Sequence, residues 1–96
     1  MTDEEILASV KMALPITTTA YDTELAELIE AAKLDLAAGG VMIPSTIDNL
    51  VLMAIKTYCR ANFGSPTNYD QLKASYDEQK AQLGMRSGYT VWTRTP

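Results

Sequence analysis

Residues 22–40 read DTELAELIEAAKLDLAAGG, and this segment carries the clearest secondary-structure signal in the chain. Its apolar residues recur three or four positions apart, which places them on one face of an α-helix. They are Leu25, Leu28, Ile29, Ala32 and Leu36. The glycine pair at the end permits the left-handed backbone that closes a helix. The pattern therefore predicts a helix over residues 22–38, with Asp22 or Thr23 as its N-cap.

The same helix carries a row of carboxylates away from its apolar face. The row consists of Glu24, Glu27, Glu30 and Asp35. Charged rows of this kind commonly serve only as a solvated helix face, and that interpretation stays open. Helical acids without a loop of oxygen ligands make a poor calcium site, so we expect no metal here.

Three further segments have helical periodicity. Residues 2–13 begin with Thr2 and Glu5 at the spacing of a capping box. Residues 46–63 carry the broadest apolar stripe, with Asp48 expected in the first turn. Residues 69–83 follow a Gly-Ser-Pro turn and carry a thinner stripe that Gly84 is expected to close. The sequence thus predicts an all-α bundle of four helices, over about 2–13, 22–38, 46–63 and 69–83.

The end of the chain differs in character from the helices. Within residues 85–96, two sets of side chains with high β-propensity alternate along the chain, as in an extended strand. We therefore expect a helical domain over 1–84 and an extended docking tail over 85–96. The candidate docking residues are Arg86, Tyr89, Val91, Trp92 and Arg94. The tail either folds back on its own domain or anchors another subunit, as exposed strands and tryptophans often do.

The composition excludes several classes of function. The chain has 96 residues, no histidine and a single cysteine, Cys59. Histidine-based acid–base chemistry, Cys-His nucleophiles and an intramolecular disulfide are therefore excluded, and Cys59 fits best as a core residue of an apolar stripe. No apolar run approaches the ~18 residues of a membrane span, and the acidic start does not resemble a secretory signal. We expect a cytosolic product that is not an enzyme.

Charge is distributed unevenly along the chain, whose formal net charge is -4. Residues 1–35 hold eight acidic residues and two lysines, whereas the last twelve residues hold two arginines and no acid. Phosphate recognition relies on clustered lysine and arginine, so ordinary readout of nucleic acid is disfavoured. We expect protein partners.

The order of these segments resembles the tailed-phage head–tail connector family. The resemblance rests on the capped helix TDEEIL at 2–7, the acidic leucine-alanine helix DTELAELIEAAK at 22–33, and the apolar helix DNLVLMAIKTYCRANFG at 48–64. It covers most of residues 2–83, and the tail beyond Gly84 follows no pattern of the family.

The resemblance implies a neck adaptor in the virion, assembled in the host cytoplasm. Its subunits would form a ring, a dodecamer, below the portal protein and above a stopper or tail-completion protein. The ring would extend the DNA channel without specific binding, and no cofactor or reaction is implied. The acidic row would then line the channel and repel the DNA backbone. A closed ring needs two different patches on each subunit, which the acidic front and basic tail supply.

Two other classes of function remain as alternatives. A small helical DNA-binding regulatory module should show basic and amide side chains along an exposed helix row, and the third helix offers only Asn49, Lys56 and Arg60. An accessory subunit of a larger enzyme is the other alternative. An independent enzyme is the least favoured class, because no acid–base pair with a supporting third group can be assembled.

Overall fold

The computed structural model describes residues 2–41, 43, 47–64 and 66–85. Within this part of the chain lie four helices, α1 (Asp3–Ala13), α2 (Asp22–Ala38), α3 (Asn49–Asn62) and α4 (Tyr69–Met85). The predicted all-α bundle of four helices is confirmed.

Helix α3 is the centre of the bundle and packs against each of the other three helices. Two ion pairs show that α1 runs antiparallel to α2. Lys11, near the end of α1, lies 2.8 Å from Asp22 at the start of α2, and Asp3 lies 3.6 Å from Lys33. Helix α4 packs against α3 and reaches α2 through the hydrogen bond from Tyr76 to Asp35.

The core is formed by the predicted apolar stripes. Its completely buried side chains include Ile6, Val10, Leu25, Leu36, Val41, Val51, Ile55 and Cys59. Burying one aliphatic side chain of this size stabilises a fold by roughly 1.5–3 kcal/mol. Helix α4 contributes less to the core, through Leu72, Tyr76 and Leu83. The thin stripe predicted for this helix is therefore confirmed.

The helix starts agree with the sequence only in part. Helix α1 has the predicted capping box, since the Glu5 amide donates to Thr2 Oγ1 and the Thr2 amide donates to Glu5 Oε1. The predicted caps of α2 are wrong. Tyr21 occupies the N-cap position without a side-chain hydrogen bond, because the Asp22 carboxylate is bound to Lys11.

The start of α3 and the end of α4 are also corrected. Asp48 is the N-cap of α3 rather than a first-turn residue, because its backbone is extended and its carboxylate accepts 3.0 Å hydrogen bonds from the amides of Leu50 and Val51. Gly84 does not close α4, which continues to Met85. The predicted stop of α2 at its glycine pair is confirmed by the positive φ angle of 89° at Gly40, and Gly64, just after α3, also has a positive φ angle, of 68°.

Candidate assembly surfaces

The acidic row of α2 divides into a solvent-facing part and an internal part. Glu24, Glu27 and Glu30 are exposed on the side of α2 away from the core. Glu30 is partly neutralised by Lys33, whose Nζ lies 3.6 Å from Glu30 Oε1. The first three carboxylates of the row are therefore brought together on one open surface, the acidic face.

Asp35, the fourth residue of the row, faces α4 instead. Its Oδ2 accepts hydrogen bonds from the Tyr76 hydroxyl at 2.5 Å and from Lys80 Nζ at 3.2 Å. The hydrogen bond from Tyr76 is the main cause that lowers the pKa of Asp35, while partial burial opposes it. Asp35 is therefore a charged link between helices, and its charge is balanced locally by Lys80.

A polar pocket surrounds this link where α2, α3 and α4 meet. It has a volume of about 150 Å³ and is lined by three tyrosines, two lysines and two acids, together with Ala61 and Asn62. The rings of Tyr58 and Tyr76 meet edge to face at 5.2 Å, and Lys80 lies 5.4 Å from the centre of the Tyr76 ring. Burial raises the pKa of both Tyr58 and Tyr76, so both hydroxyls stay protonated near neutral pH. The pocket joins the helices rather than preparing a nucleophile.

Sequence reasoning missed this pocket because its contacts join distant parts of the chain. Helical periodicity identifies the apolar stripe of α4 but does not identify which other helix its side chains contact. A polar hydroxyl on an otherwise apolar stripe is the one signal that could have indicated an interhelical hydrogen bond.

A groove between α3 and α4 exposes apolar side chains of α3. Leu50 is 41% exposed and Met53 is 52% exposed, and both line this groove with Gln79, Gln82 and Leu83. Gln79 Oε1 is buried there without a hydrogen-bond partner among the described residues.

A second groove, the α1–α2 groove, has an apolar floor and acidic edges. Its volume is about 180 Å³, and it is lined by Asp3, Glu4, Leu7, Ala26, Ile29 and Glu30. The floor is formed by the three apolar residues, of which Ile29 is buried and Leu7 is partly buried. The first turn of α1 supplies two of the three edge carboxylates. Sequence reasoning missed this groove, because it depends on how the two helices pack.

Cys59 is completely buried, and burial raises the pKa of its thiol to about 12, so it stays a neutral core residue. Among the described residues, no group of three or more acids and cysteines could hold a metal ion. The described helices also include none that is long and apolar enough to cross a membrane. The candidate docking residues Arg86, Tyr89, Val91, Trp92 and Arg94 lie outside the described residues.

Comparison with known proteins points to one family. The model of a family described as phage connector protein matches residues 6–90 of the chain. No curated protein and no solved structure matches the chain significantly. The family match begins within α1 at Ile6 and includes all of α2, α3 and α4, so it covers the bundle except for the first residues of α1, which include Asp3 and Glu4 of the α1–α2 groove. The chain belongs to the family of phage connector proteins.

Proposed function

We propose that this protein is a neck subunit of a tailed bacteriophage, which forms a ring below the portal, extends the DNA channel and joins head to tail. The observation that carries the proposal is the match to the phage connector family over residues 6–90. The proposed partners are further copies of the chain, twelve in the virion, with the portal protein above and a stopper or tail-completion protein below. Assembly takes place in the host cytoplasm, and no catalysed reaction or cofactor is part of this role.

The acidic face of α2 supports the channel part of the proposal. Glu24 and Glu27 are exposed on it, and Glu30 lies at its edge. A channel wall of fixed negative charge repels the DNA backbone and keeps DNA from adhering as it passes. Asp35 contributes less to this wall, because its charge is balanced by Lys80 at 3.2 Å.

The small core supports the ring part of the proposal. A domain of this length buries only roughly 60–70% of the surface that its unfolded chain exposes, so the stability of a single subunit is modest. Burial of further surface between copies adds to that stability. The exposed apolar side chains Leu34 and Met12, 72% and 82% exposed, also fit contacts between copies.

The experiment that tests the ring is light scattering combined with negative-stain electron microscopy. The full chain is measured alone and with the purified portal ring of the phage that encodes it. We expect a closed ring with a fixed number of subunits, coaxial with the portal. A chain that stays monomeric in both samples overturns the proposal. Binding to duplex DNA with a steep salt dependence would instead favour the DNA-binding alternative.

A charge reversal tests the channel wall. We expect the double variant Glu24→Lys with Glu27→Lys to form rings that retain linear duplex DNA at low salt, whereas wild-type rings release it. The matched control is Asp70→Lys with Glu78→Lys on α4, two exposed acids away from the acidic face whose replacement changes the net charge by the same amount. Equal DNA retention by the control and the double variant would show that net charge, and not the acidic face, controls adhesion.

A further inference from the structure

The α1–α2 groove, lined by Asp3, Glu4, Leu7, Ala26, Ile29 and Glu30, has an excess of negative charge at its edges. Two of its three carboxylates share one cation, since Lys33 Nζ lies 3.6 Å from both Asp3 Oδ1 and Glu30 Oε1. Both partners are largely exposed, with side chains 89% and 63% accessible. A segment that places apolar side chains on the floor and cations at the edges would therefore fit this groove.

One segment of this chain has that chemistry. Residues 86–94 read RSGYTVWTR, with an arginine at each end and Tyr89, Val91 and Trp92 between them. The groove edges carry a net charge of two negative charges, because three carboxylates face one lysine. The two arginines of the segment match this charge. An aromatic residue flanked by arginines is also the composition that dominates binding energy at protein interfaces.

The groove lies on the side of α2 that faces away from α4. Asp35 marks the side of α2 that faces α4, through its hydrogen bond to Tyr76. Ala26 marks the groove and precedes Asp35 by nine residues, or about 2.5 helical turns, which puts the two on opposite sides of α2. Helix α4, which ends at Met85, therefore lies on the side of α2 opposite to the groove, and the segment follows α4 in sequence.

This placement of two complementary surfaces is the one that a closed ring requires. In a cyclic assembly, each subunit offers one patch to the neighbour on one side and a different patch to the neighbour on the other side. The seven residues that follow Met85, up to Trp92, span up to roughly 23 Å when extended, which exceeds the ~10 Å diameter of one helix. The segment is therefore long enough to reach across a contact between subunits.

We propose that residues 86–94 of one copy dock in the α1–α2 groove of the neighbouring copy, with Tyr89, Val91 and Trp92 on the apolar floor and the arginines at the acidic edges. The proposal rests on the proposed ring function and names the contact that closes the ring. Glu30 then belongs to the interface between subunits, and the channel wall is left to Glu24 and Glu27.

Mixing two full-length variants tests this contact. Trp92→Ala removes the anchor of the segment, and Ala26→Arg blocks the groove at an exposed helix position. We expect each variant to be monomeric by light scattering under conditions where the wild type associates. Their mixture should form a one-to-one heterodimer and stop there, because only one intact segment and one intact groove remain. The control, Ala74→Arg on the exposed side of α4, should associate like the wild type.

The emission of Trp92, the single tryptophan, provides a second measurement. Docking between copies predicts a blue-shifted emission that returns to the red on dilution of the wild type, and a persistent red emission in Ala26→Arg. A mixture that yields no heterodimer overturns the proposal, as does emission that is unchanged by dilution, which indicates docking within one chain. Trp92→Ala rings that form normally and fail only to bind the portal ring also overturn it, while leaving the proposed function intact.

Discussion

The hydroxyl of Tyr76 donates a 2.5 Å hydrogen bond to Oδ2 of Asp35 and thereby joins α4 to α2. The two pKa shifts are opposite in sign, and both favour the same pair of protonation states. Desolvation and the bond to Asp35 raise the pKa of Tyr76, and the same bond lowers the pKa of Asp35. The neutral phenol and the ionised carboxylate are therefore the stable pair, and α4, which has the thinnest apolar stripe, gains a polar attachment to the bundle.

Removal of the Tyr76 hydroxyl should loosen α4. We expect Tyr76→Phe to lower the free energy of unfolding by about 1.5 kcal/mol, because the hydrogen bond to a charged acceptor is lost while the packing of the ring against Tyr58 is kept. Urea unfolding followed by circular dichroism measures this change. Tyr69→Phe is the matched control, because Tyr69 is 41% exposed and the loss of its hydroxyl should change the free energy of unfolding little. Equal effects of the two variants would contradict the assigned role of Asp35.

The charge of Asp35 predicts a dependence of stability on pH. Its pKa in the folded protein lies below the ordinary value of 3.8, so its contribution is present above that value and is lost as the pH falls through the folded pKa. We expect the difference in unfolding free energy between wild type and Asp35→Asn to be constant near neutral pH and to shrink below about pH 4. Urea titrations at a series of pH values measure it. If the difference in unfolding free energy grows on acidification, the folded pKa of Asp35 is raised instead of lowered. That result would contradict the hydrogen bonds from Tyr76 and Lys80 to its carboxylate.

The sequence predicted those features that depend on neighbours a few residues apart. The ends of α2 were predicted correctly because the apolar spacing stops at a glycine pair, and Gly40 does adopt the positive φ that this requires. The start of α3 was wrong because aspartate is favoured both at the N-cap and in the first turn, and spacing alone does not separate the two positions. The Tyr76–Asp35 bond and the α1–α2 groove join residues that only helix packing brings together.

The N-cap of α3 is a second polar contact that contributes measurably to the free energy of unfolding. Asp48 accepts from the amides of Leu50 and Val51, which have no partner earlier in the helix. We expect Asp48→Ala to lower the free energy of unfolding by about 1–2 kcal/mol and Asp48→Asn to lower it by much less, since asparagine is an equally good cap. Thermal and urea unfolding provide the comparison. An asparagine variant as unstable as the alanine variant would show that the charge matters more than the cap.

Two glycines should respond to the same substitution in opposite directions. Gly84 lies within α4, and an added Cβ would meet its nearest neighbour at an ordinary 3.9 Å, so Gly84→Ala should stabilise the protein by up to about 1 kcal/mol. Gly40 has a φ of 89°, so Gly40→Ala should destabilise it by about 1–2 kcal/mol through backbone strain alone, because the site is otherwise open. Melting temperatures measure both effects. Destabilisation by Gly84→Ala would mean that α4 ends before this residue.

The thiol of Cys59 reports on whether the bundle opens. It is completely buried within the apolar core, and burial raises its pKa to about 12, so very little reactive thiolate exists in the folded protein at pH 8. We expect 5,5′-dithiobis(2-nitrobenzoate) to modify native Cys59 at least a hundredfold more slowly than the same cysteine in urea. Tyr76→Phe, which loosens α4, should raise the native rate, whereas Tyr69→Phe should not. Rapid modification of the native wild type would place the thiol at the surface and contradict the packing of α3 at the centre of the bundle.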